Sequence, residues 1–396
     1  MKQHHHRSHK GHNAIVIVIS FLLAALLFPN DAYGSNEAAA RRSAAQPLKV
    51  IMTVRADPNA QLESHLSINS PIITRALQKV RQERVDQVVL YPDIEILIMQ
   101  QQGQQKVYRL EKQGNLWDET MHQRIIVTTE AAHQLRRLAE LLREQYYGRL
   151  IDWNSARELA PRKSIFSITD IASGKSFRVQ RRAGSDHADV QPLTKEDSHI
   201  MKEIYGGEWS WNRKAVLVHA NGQWIAASMN GMPHGGDGIP DNDFSGHFCV
   251  HFLGSTTHKS DEPDIAHHLM IHKAAGEVRQ YLDNASPTLL AASFVEALDH
   301  DEPYLLAQIA VGMPPDKIAG WNDQMPAIRS IRIDKPRKSK SFGVETIDAN
   351  ALNAQVRLQV TLMRQSEQRA SYLFHFTRRT TQSRWELVDV TTPTGQ

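Results

Sequence analysis

The sequence predicts a multi-domain α+β protein, with a mainly antiparallel β middle domain between two flanking α+β domains. Three observations indicate this fold class. The chain has 396 residues, more than one hydrophobic core normally serves, and 41 % of them are hydrophobic. Short segments in which apolar and polar residues alternate, as in antiparallel strands, occur in three groups along the chain. Helical periodicity accompanies each group.

Residues 1–34 have the pattern of a secretory signal peptide. A basic, histidine-rich leader precedes the apolar run at 14–28, and small residues follow at Ala32 and Gly34. The run is short for a membrane span, which needs roughly 20 residues. We therefore expect export to the cell envelope or the extracellular space, with membrane contact only through this signal or a retained N-terminal anchor. The Ala-rich, polar residues 35–47 are predicted to be a linker.

Residues 48–160 are predicted to form the N-terminal α+β domain. The segments "QVVLY", "IEILIMQ" and "QKVYRLE" are typical of strands, and "QQGQQ" is typical of a turn. Leu135, Leu138 and Leu142 follow the 3.6-residue period of a helix, which Thr129 can begin and Gly148 can end. We find no pattern of catalytic residues in this domain.

Residues 161–285 are predicted to form the catalytic domain. Asn221-Gly222 favours a type I′ turn between two apolar strands. The loop "HGGDGIPDNDFSG" then leads to the strand-like segment "HFCVHFL". Ten of the 20 histidines lie in this domain, a concentration that favours a functional site.

Residues 286–396 are predicted to form a C-terminal α+β domain. Two helices broken at Pro303 precede four segments of alternating apolar and polar residues. This order is similar to that of nuclear-transport-factor-two-like domains. The resemblance implies a cone-shaped α+β fold and carries no activity with it.

The single cysteine, Cys249, lies in "SGHFCVHF" between His247 and His251. One cysteine cannot form a disulfide within the chain, so Cys249 is either a buried apolar residue or a free reactive thiol. On a strand the three residues share one face, and the phenylalanine and valine residues beside them face the core. A neighbouring imidazole converts a thiol into the nucleophilic thiolate. This placement favours the reactive thiol.

Two short motifs resemble the catalytic motif of the L,D-transpeptidase (YkuD-type) family. Its members carry an upstream His-Gly and, further on, Ser/Thr-His-Gly-Cys-x-Arg/Asn. Here His234-Gly235 matches the first motif, and residues 246–251 match the second, with Gly and Phe in place of Ser/Thr and Gly. The resemblance implies that Cys249 is the nucleophile and His234 its general base, with His247 orienting the thiol or the oxyanion.

The resemblance also implies a substrate and the residues that bind it. The substrate-binding residues expected from it are His251, Gly235, Asn230 and Gly246. The implied function is that of an exported cysteine-dependent acyl transferase or hydrolase acting on peptidoglycan peptides, without a cofactor. The middle segment also resembles uncharacterised exported bacterial proteins. No nucleic-acid partner is expected, because the net charge is only +3 and the basic residues are scattered.

Two other functions remain open. A zinc-dependent hydrolase would use a ligand set that combines imidazole and carboxylate groups: His187, Asp189, His247 and His251. A non-catalytic binding or regulatory protein of the cell envelope would use the histidines as structure. His268 and His272 have the helix spacing of a zinc pair but lack the accompanying glutamate, so we expect a structural role for them. Trp209, Trp211 and Trp224 are candidates for a platform that stacks against sugar rings, or for core residues.

Overall fold

The computed structural model describes residues 48–99, 104–236, 238–257, 264–334, 348 and 350–392. The predicted signal peptide and linker lie outside the described residues. The chain divides into two compact units, Met1–Tyr146 and Tyr147–Gln396. Antiparallel sheets and helices are mixed along the chain, so the predicted α+β class is confirmed. Among the described residues, no helix has the length and apolar character needed to span a membrane.

The first unit contains a seven-stranded antiparallel sheet and two helices. Its strands are β1 (Lys49–Val54), β2 (Ser64–Ile68), β3 (Arg81–Glu83), β4 (Leu90–Met99), β5 (Gln105–Glu111), β6 (Leu116–Asp118) and β7 (Gln123–Ile126), and its helices are α1 (Pro71–Gln78) and α2 (Thr129–Tyr146). The strand order is β2-β1-β4-β5-β6-β7-β3. Leu135 and Leu142 are buried on α2, as the helical period predicts, but Thr128 rather than Thr129 accepts the first backbone hydrogen bond.

The second unit begins with a closed six-stranded antiparallel barrel. Its strands are β8 (Ile165–Asp170), β9 (Ser176–Ala183), β10 (Ala188–Pro192), β11 (Lys214–Ala220), β12 (Gln223–Met229) and β13 (Phe248–His251). The order around the barrel is β10-β13-β12-β11-β8-β9. Asn221 and Gly222, which join β11 to β12, both have positive φ, as a type I′ turn requires.

Four helices accompany the barrel: α3 (Trp153–Leu159), α4 (Lys195–Ile204), α5 (Ile265–Ala275) and α6 (Val278–Asp283). The second unit starts earlier than the predicted boundary at residue 161, because the preceding segment packs with the barrel. Trp153 belongs to the barrel core, and Arg149 pairs with Ile225 as an isolated bridge. Gly148 lies so close to the backbone of Ala226 that an added Cβ would overlap it.

The rest of the second unit is a layer of helices on a four-stranded sheet. It comprises α7 (Pro287–Asp299), α8 (Pro303–Ile309), α9 (Pro315–Gln324), β14 (Ser330–Ile333), β15 (Asn353–Met363), β16 (Glu367–Thr377) and β17 (Glu386–Thr391), with the strands in that order. The predicted break between two helices at Pro303 is confirmed. Phe294 of α7 packs edge-on against Phe374 of the sheet, with ring centroids 5.6 Å apart.

A largely buried carboxylate on α7, Glu296, makes the stability of this unit dependent on pH. Burial, reinforced by the negative charges of Asp264 and Asp299 and opposed by Arg213, raises the pKa of Glu296 to about 8. His300 lies beside it, with Nδ1 3.9 Å from a Glu296 carboxylate oxygen. The folded state therefore binds the Glu296 proton more tightly than the unfolded chain does, and this stabilising contribution is lost as the pH rises through 8.

We expect Glu296→Gln to stabilise the protein at alkaline pH relative to wild type. The gain in the free energy of unfolding should be near zero below pH 4.5 and should rise until about pH 8. Because 29 % of the side chain remains exposed, solvent reduces the effect, which we place at about 1–3 kcal/mol. Urea denaturation across this pH range measures it. Asp301→Asn, at an exposed position, serves as the control, and an equal gain there would contradict the assignment.

Candidate active site

The candidate site lies on the outer face of the barrel, where β13 runs between β10 and β12. Phe248, Val250 and Phe252 belong to the barrel core, so the residues that alternate with them face outward, as predicted. Cys249 lies directly opposite Asp189 on β10. Cys249 is nevertheless only 4 % exposed. The thiol is therefore buried without belonging to the apolar core.

The His234 ring is placed to act as a general base toward the Cys249 thiol. Its Nε2 lies 3.3 Å from Cys249 Sγ, which confirms the predicted proximity of the two side chains. Its Nδ1 lies 2.8 Å from the Met232 carbonyl oxygen. A carbonyl oxygen only accepts, so Nδ1 carries the hydrogen and, in the neutral ring, Nε2 presents its lone pair to the thiol. The Met232 carbonyl thus selects the tautomer that can remove the thiol proton.

The electrostatics of this pair favour proton transfer. Burial alone would raise the pKa of Cys249, but hydrogen bonds and positive charge from His187 and His234 outweigh it and lower that pKa. The hydrogen bond with Cys249 raises the pKa of His234 against the opposing effect of burial. Both shifts stabilise a thiolate beside an imidazolium, the form in which cysteine is nucleophilic.

A second histidine, His187, adds positive charge beside the thiol. Its Nδ1 lies 2.9 Å from the Thr256 carbonyl oxygen, and its Nε2 lies 3.1 Å from Asp189 Oδ1. Both partners are acceptors, so the ring carries a hydrogen on each nitrogen. Burial opposes this charge, but hydrogen bonds to Asp189 and Cys249 outweigh it and raise the pKa of His187 to about 10. The motif did not indicate this role for His187.

His251 occupies a different position from the one that the resemblance implied. It is 2 % exposed and lies between two other imidazoles, with ring centroids 4.5 Å from His187 and 3.7 Å from His267 of α5. Burial and the neighbouring positive charges hold the pKa of His251 well below its usual range, so the ring is neutral. His267 in turn bonds Ser228 Oγ at 2.9 Å. The helix α5 packs against β11 and β12 and lays His267 on His251. His251 therefore supports the other residues of the site and does not face a substrate at the surface.

The two glycines expected to contact substrate instead allow a close contact within the protein. His234 and His247 form an antiparallel bridge with two backbone hydrogen bonds of 2.9 and 2.8 Å. Gly235 and Gly246 flank this bridge with φ of +71° and +92°. A Cβ at Gly235 would overlap the His247 ring, and one at Gly246 would overlap the His234 carbonyl oxygen.

Asn230 is also buried rather than open to a substrate. Only 5 % of it is exposed, and its backbone N–H donates to the Cys249 carbonyl oxygen at 3.3 Å. This bond extends the pairing of β12 with β13 past the end of β12. The structure therefore places all four residues that were expected to bind substrate in supporting positions within the protein. These are His251, Gly235, Asn230 and Gly246.

The side chains that face the outside of the site are His234, His247 and Trp211. His247 has 18 % of its side chain exposed, and its Nε2 lies 3.8 Å from Asp189 Oδ1. Trp211 is 50 % exposed, with its ring centroid 5.0 Å from that of His234. Trp209 packs on Phe244 and Trp224 stacks on His219, so each of these two tryptophans has a separate environment.

The predicted zinc ligands converge on the same place. Asp189 lies within 4 Å of both His187 and His247. Ligand atoms of His187, Cys249 and His251 lie within 4.8 Å of one another. His272, in contrast, stacks on Tyr281 with ring centroids 4.3 Å apart.

Comparison of the chain with protein-family models, curated proteins and solved structures gives no match.

Proposed function

We propose that the protein is a cysteine-dependent acyl transferase or hydrolase that acts on cell-wall peptides, in the manner of an L,D-transpeptidase. The observation that carries the proposal is the arrangement of Met232, His234 and Cys249. The Met232 carbonyl fixes the His234 tautomer, and His234 Nε2 faces the thiol at 3.3 Å. A cysteine retained only for packing needs no such partner.

The reaction follows from this arrangement. His234 Nε2 takes the proton of Cys249, and the thiolate sulfur attacks the carbonyl carbon of a substrate peptide bond. The tetrahedral intermediate collapses, the carbon–nitrogen bond breaks, and the His234 imidazolium gives its proton to the departing amine. A thioester on Cys249 remains. An incoming amine or water loses a proton to His234, attacks the thioester carbonyl and releases the thiolate, which regains a proton from His234.

His187 acts directly on the Cys249 sulfur through a hydrogen bond, and Asp189 acts through His187. The His187 imidazolium stands beside Sγ, and Asp189 balances its charge at 3.1 Å. A fixed positive charge in a buried site stabilises the thiolate at little reorganisation cost. We therefore assign Cys249, His234 and His187 as catalytic residues, and Asp189 as a positioning residue that acts through His187.

The choice of cell-wall peptides as substrate is supported by the two motifs and by the predicted signal peptide. Export would bring the site to the compartment where peptidoglycan is exposed. Trp211, half exposed beside His234, offers a flat apolar surface next to the reacting groups.

The proposal is tested by trapping the thioester. We expect wild-type protein incubated with purified peptidoglycan stem peptides to gain the mass of an acyl group on Cys249, measured by intact-protein and peptide mass spectrometry. Cys249→Ala should show no adduct and no turnover while remaining folded, as followed by near-ultraviolet circular dichroism. Rapid alkylation of native Cys249 by iodoacetamide without any stem-peptide adduct would refute the substrate. Alkylation of the wild type no faster than that of His234→Ala, in which the thiol is equally buried, would refute the nucleophile.

A further inference from the structure

We infer that the outer face of β10 and β13 is a zinc-binding site, with Cys249, His187 and His251 as ligands and Asp189 as the fourth. The binding site itself is independent of the proposed acyl transfer. Its regulatory consequence, that zinc captures the nucleophile, rests on the proposed function.

The strand register brings the four residues together as two facing pairs. Cys249 and His251 are two residues apart on β13 and share a face, while Asp189 lies on β10 and His187 directly precedes that strand. Asp189 lies opposite Cys249 in the strand register, and the rings of His187 and His251 stack at 4.5 Å. The adjacent strands β10 and β13, with the residue that precedes β10, thus supply all four groups.

The distances suit a tetrahedral zinc ion. Ligand atoms of His187, Cys249 and His251 lie within 4.8 Å of one another. Zinc bonds of about 2.0–2.3 Å in a tetrahedron place ligand atoms roughly 3.3–3.8 Å apart. The three side chains would therefore close by at most about 1.5 Å around an ion, a change that side-chain rotation can supply. The Asp189 carboxylate, now 3.1 Å from His187 Nε2, would turn from that nitrogen to the ion.

An independent observation also points to a ligand here. His251 Nδ1 is buried and has no hydrogen-bond partner among the described residues, although the residue is only 2 % exposed. Burying an unpaired polar nitrogen is unfavourable, and natural proteins rarely retain one without a reason. A metal ion coordinated through Nδ1 would give this nitrogen the partner that it lacks.

The charges of the four ligands, and the hydrogen bond that His187 makes outside the site, also fit a zinc ion. The thiolate of Cys249 and the carboxylate of Asp189 together neutralise a divalent cation, and thiolate with imidazole is a donor set typical of zinc. Zinc binding would release the Cys249 proton and the His187 Nε2 proton. His187 would keep the bond from Nδ1 to the Thr256 carbonyl, the outer contact that metal-binding histidines usually have.

His234 is not a member of this ligand set, so the thiol has two alternative partners. Paired with His234, Cys249 is a nucleophile. Bound to zinc, its lone pairs are engaged and it cannot attack a carbonyl. Zinc is therefore expected to inhibit the acyl transfer reversibly, with a chelator restoring it.

Cobalt(II), which replaces zinc in such sites, provides a selective readout. Cys249 is the only cysteine in the chain, so a thiolate-to-cobalt charge-transfer band reports this site alone and excludes the histidine-rich leader. We expect the full chain, titrated with cobalt chloride, to develop this band at one equivalent and to lose it on addition of zinc. Cys249→Ser should abolish the band. Its absence in the folded wild-type protein would overturn the inference.

Ligand variants separate the metal site from the catalytic pair. His251→Ala and His187→Ala should each weaken cobalt binding at least about 10-fold, and His251→Gln provides a second variant if the alanine form does not fold. His234→Ala should retain the band while losing acyl transfer, and His272→Ala should change neither. Undiminished binding in both ligand variants would overturn the site. An acyl-enzyme without a cobalt band would leave the proposed function intact, and a band without an acyl-enzyme would leave the metal site intact.

Discussion

Replacing His234 with alanine is expected to slow the acylation of Cys249 by about 10²–10⁴-fold, the usual contribution of a positioned general base. The variant removes the nitrogen that lies 3.3 Å from Sγ and leaves the thiol buried beside His187. The rate should be measured as single-turnover formation of the thioester. The same variant should slow alkylation of Cys249 by iodoacetamide, since fewer molecules would carry the thiolate.

His199→Ala is the matched control for this experiment. His199 lies on α4 with 66 % of its side chain exposed, so its loss should leave both rates unchanged. Folding of each variant can be followed by near-ultraviolet circular dichroism. If His234→Ala acylates at the wild-type rate while remaining folded, another base must act on the thiol, and His247 would be the first to examine because its ring lies 4.5 Å from that of His234.

The second large effect is expected at Gly246, where alanine should destabilise the protein by about 2–5 kcal/mol. Part of this, about 1–2 kcal/mol, is the strain of a side chain at a φ of +92°. The remainder, about 1–3 kcal/mol, arises because the new Cβ would overlap the His234 carbonyl oxygen and push the two strands of the bridge apart. The free energy of unfolding measures the total.

The substitution Gly207→Ala distinguishes the backbone strain from the steric overlap. The Gly207 φ of +93° matches that of Gly246, but nothing lies within 4 Å of an added Cβ. Gly207→Ala should therefore show the strain alone and keep wild-type thiol reactivity, whereas Gly246→Ala should also slow iodoacetamide alkylation because His234 is displaced. Equal destabilisation by the two substitutions would mean that the His234–His247 bridge carries no steric constraint. Gly235 and Gly206, with φ of +71° and +72°, form a second pair of the same design.

Local patterns predicted those features that depend on neighbours in the chain. The apolar period found the buried face of α2, the Asn221-Gly222 pair found the β11–β12 turn, and strand alternation separated Cys249 from the barrel core. The proximity of His234 to Cys249 came from the paired motifs.

Local sequence patterns could not predict features that depend on strand pairing across the barrel. Asp189 lies opposite Cys249 only because β10 and β13 become neighbours when the barrel closes. His251 is buried because α5 brings His267 onto it, which a strand pattern alone does not show. For the same reason, Gly235 and Gly246 were expected to contact a ligand, whereas their space is taken by His247 and His234.

The backbone bridge between His234 and His247 has a consequence for how this protein can diversify. Two hydrogen bonds close the base of the segment that joins these residues, and Asn242 and Phe244 within the segment are buried against the barrel. Closing a longer loop costs only about 0.6 kcal/mol for each doubling of its length. Insertions at exposed positions of this segment, such as Gly236 and Pro240, should therefore be tolerated, and they would add new surface near Cys249 while the general base keeps its place.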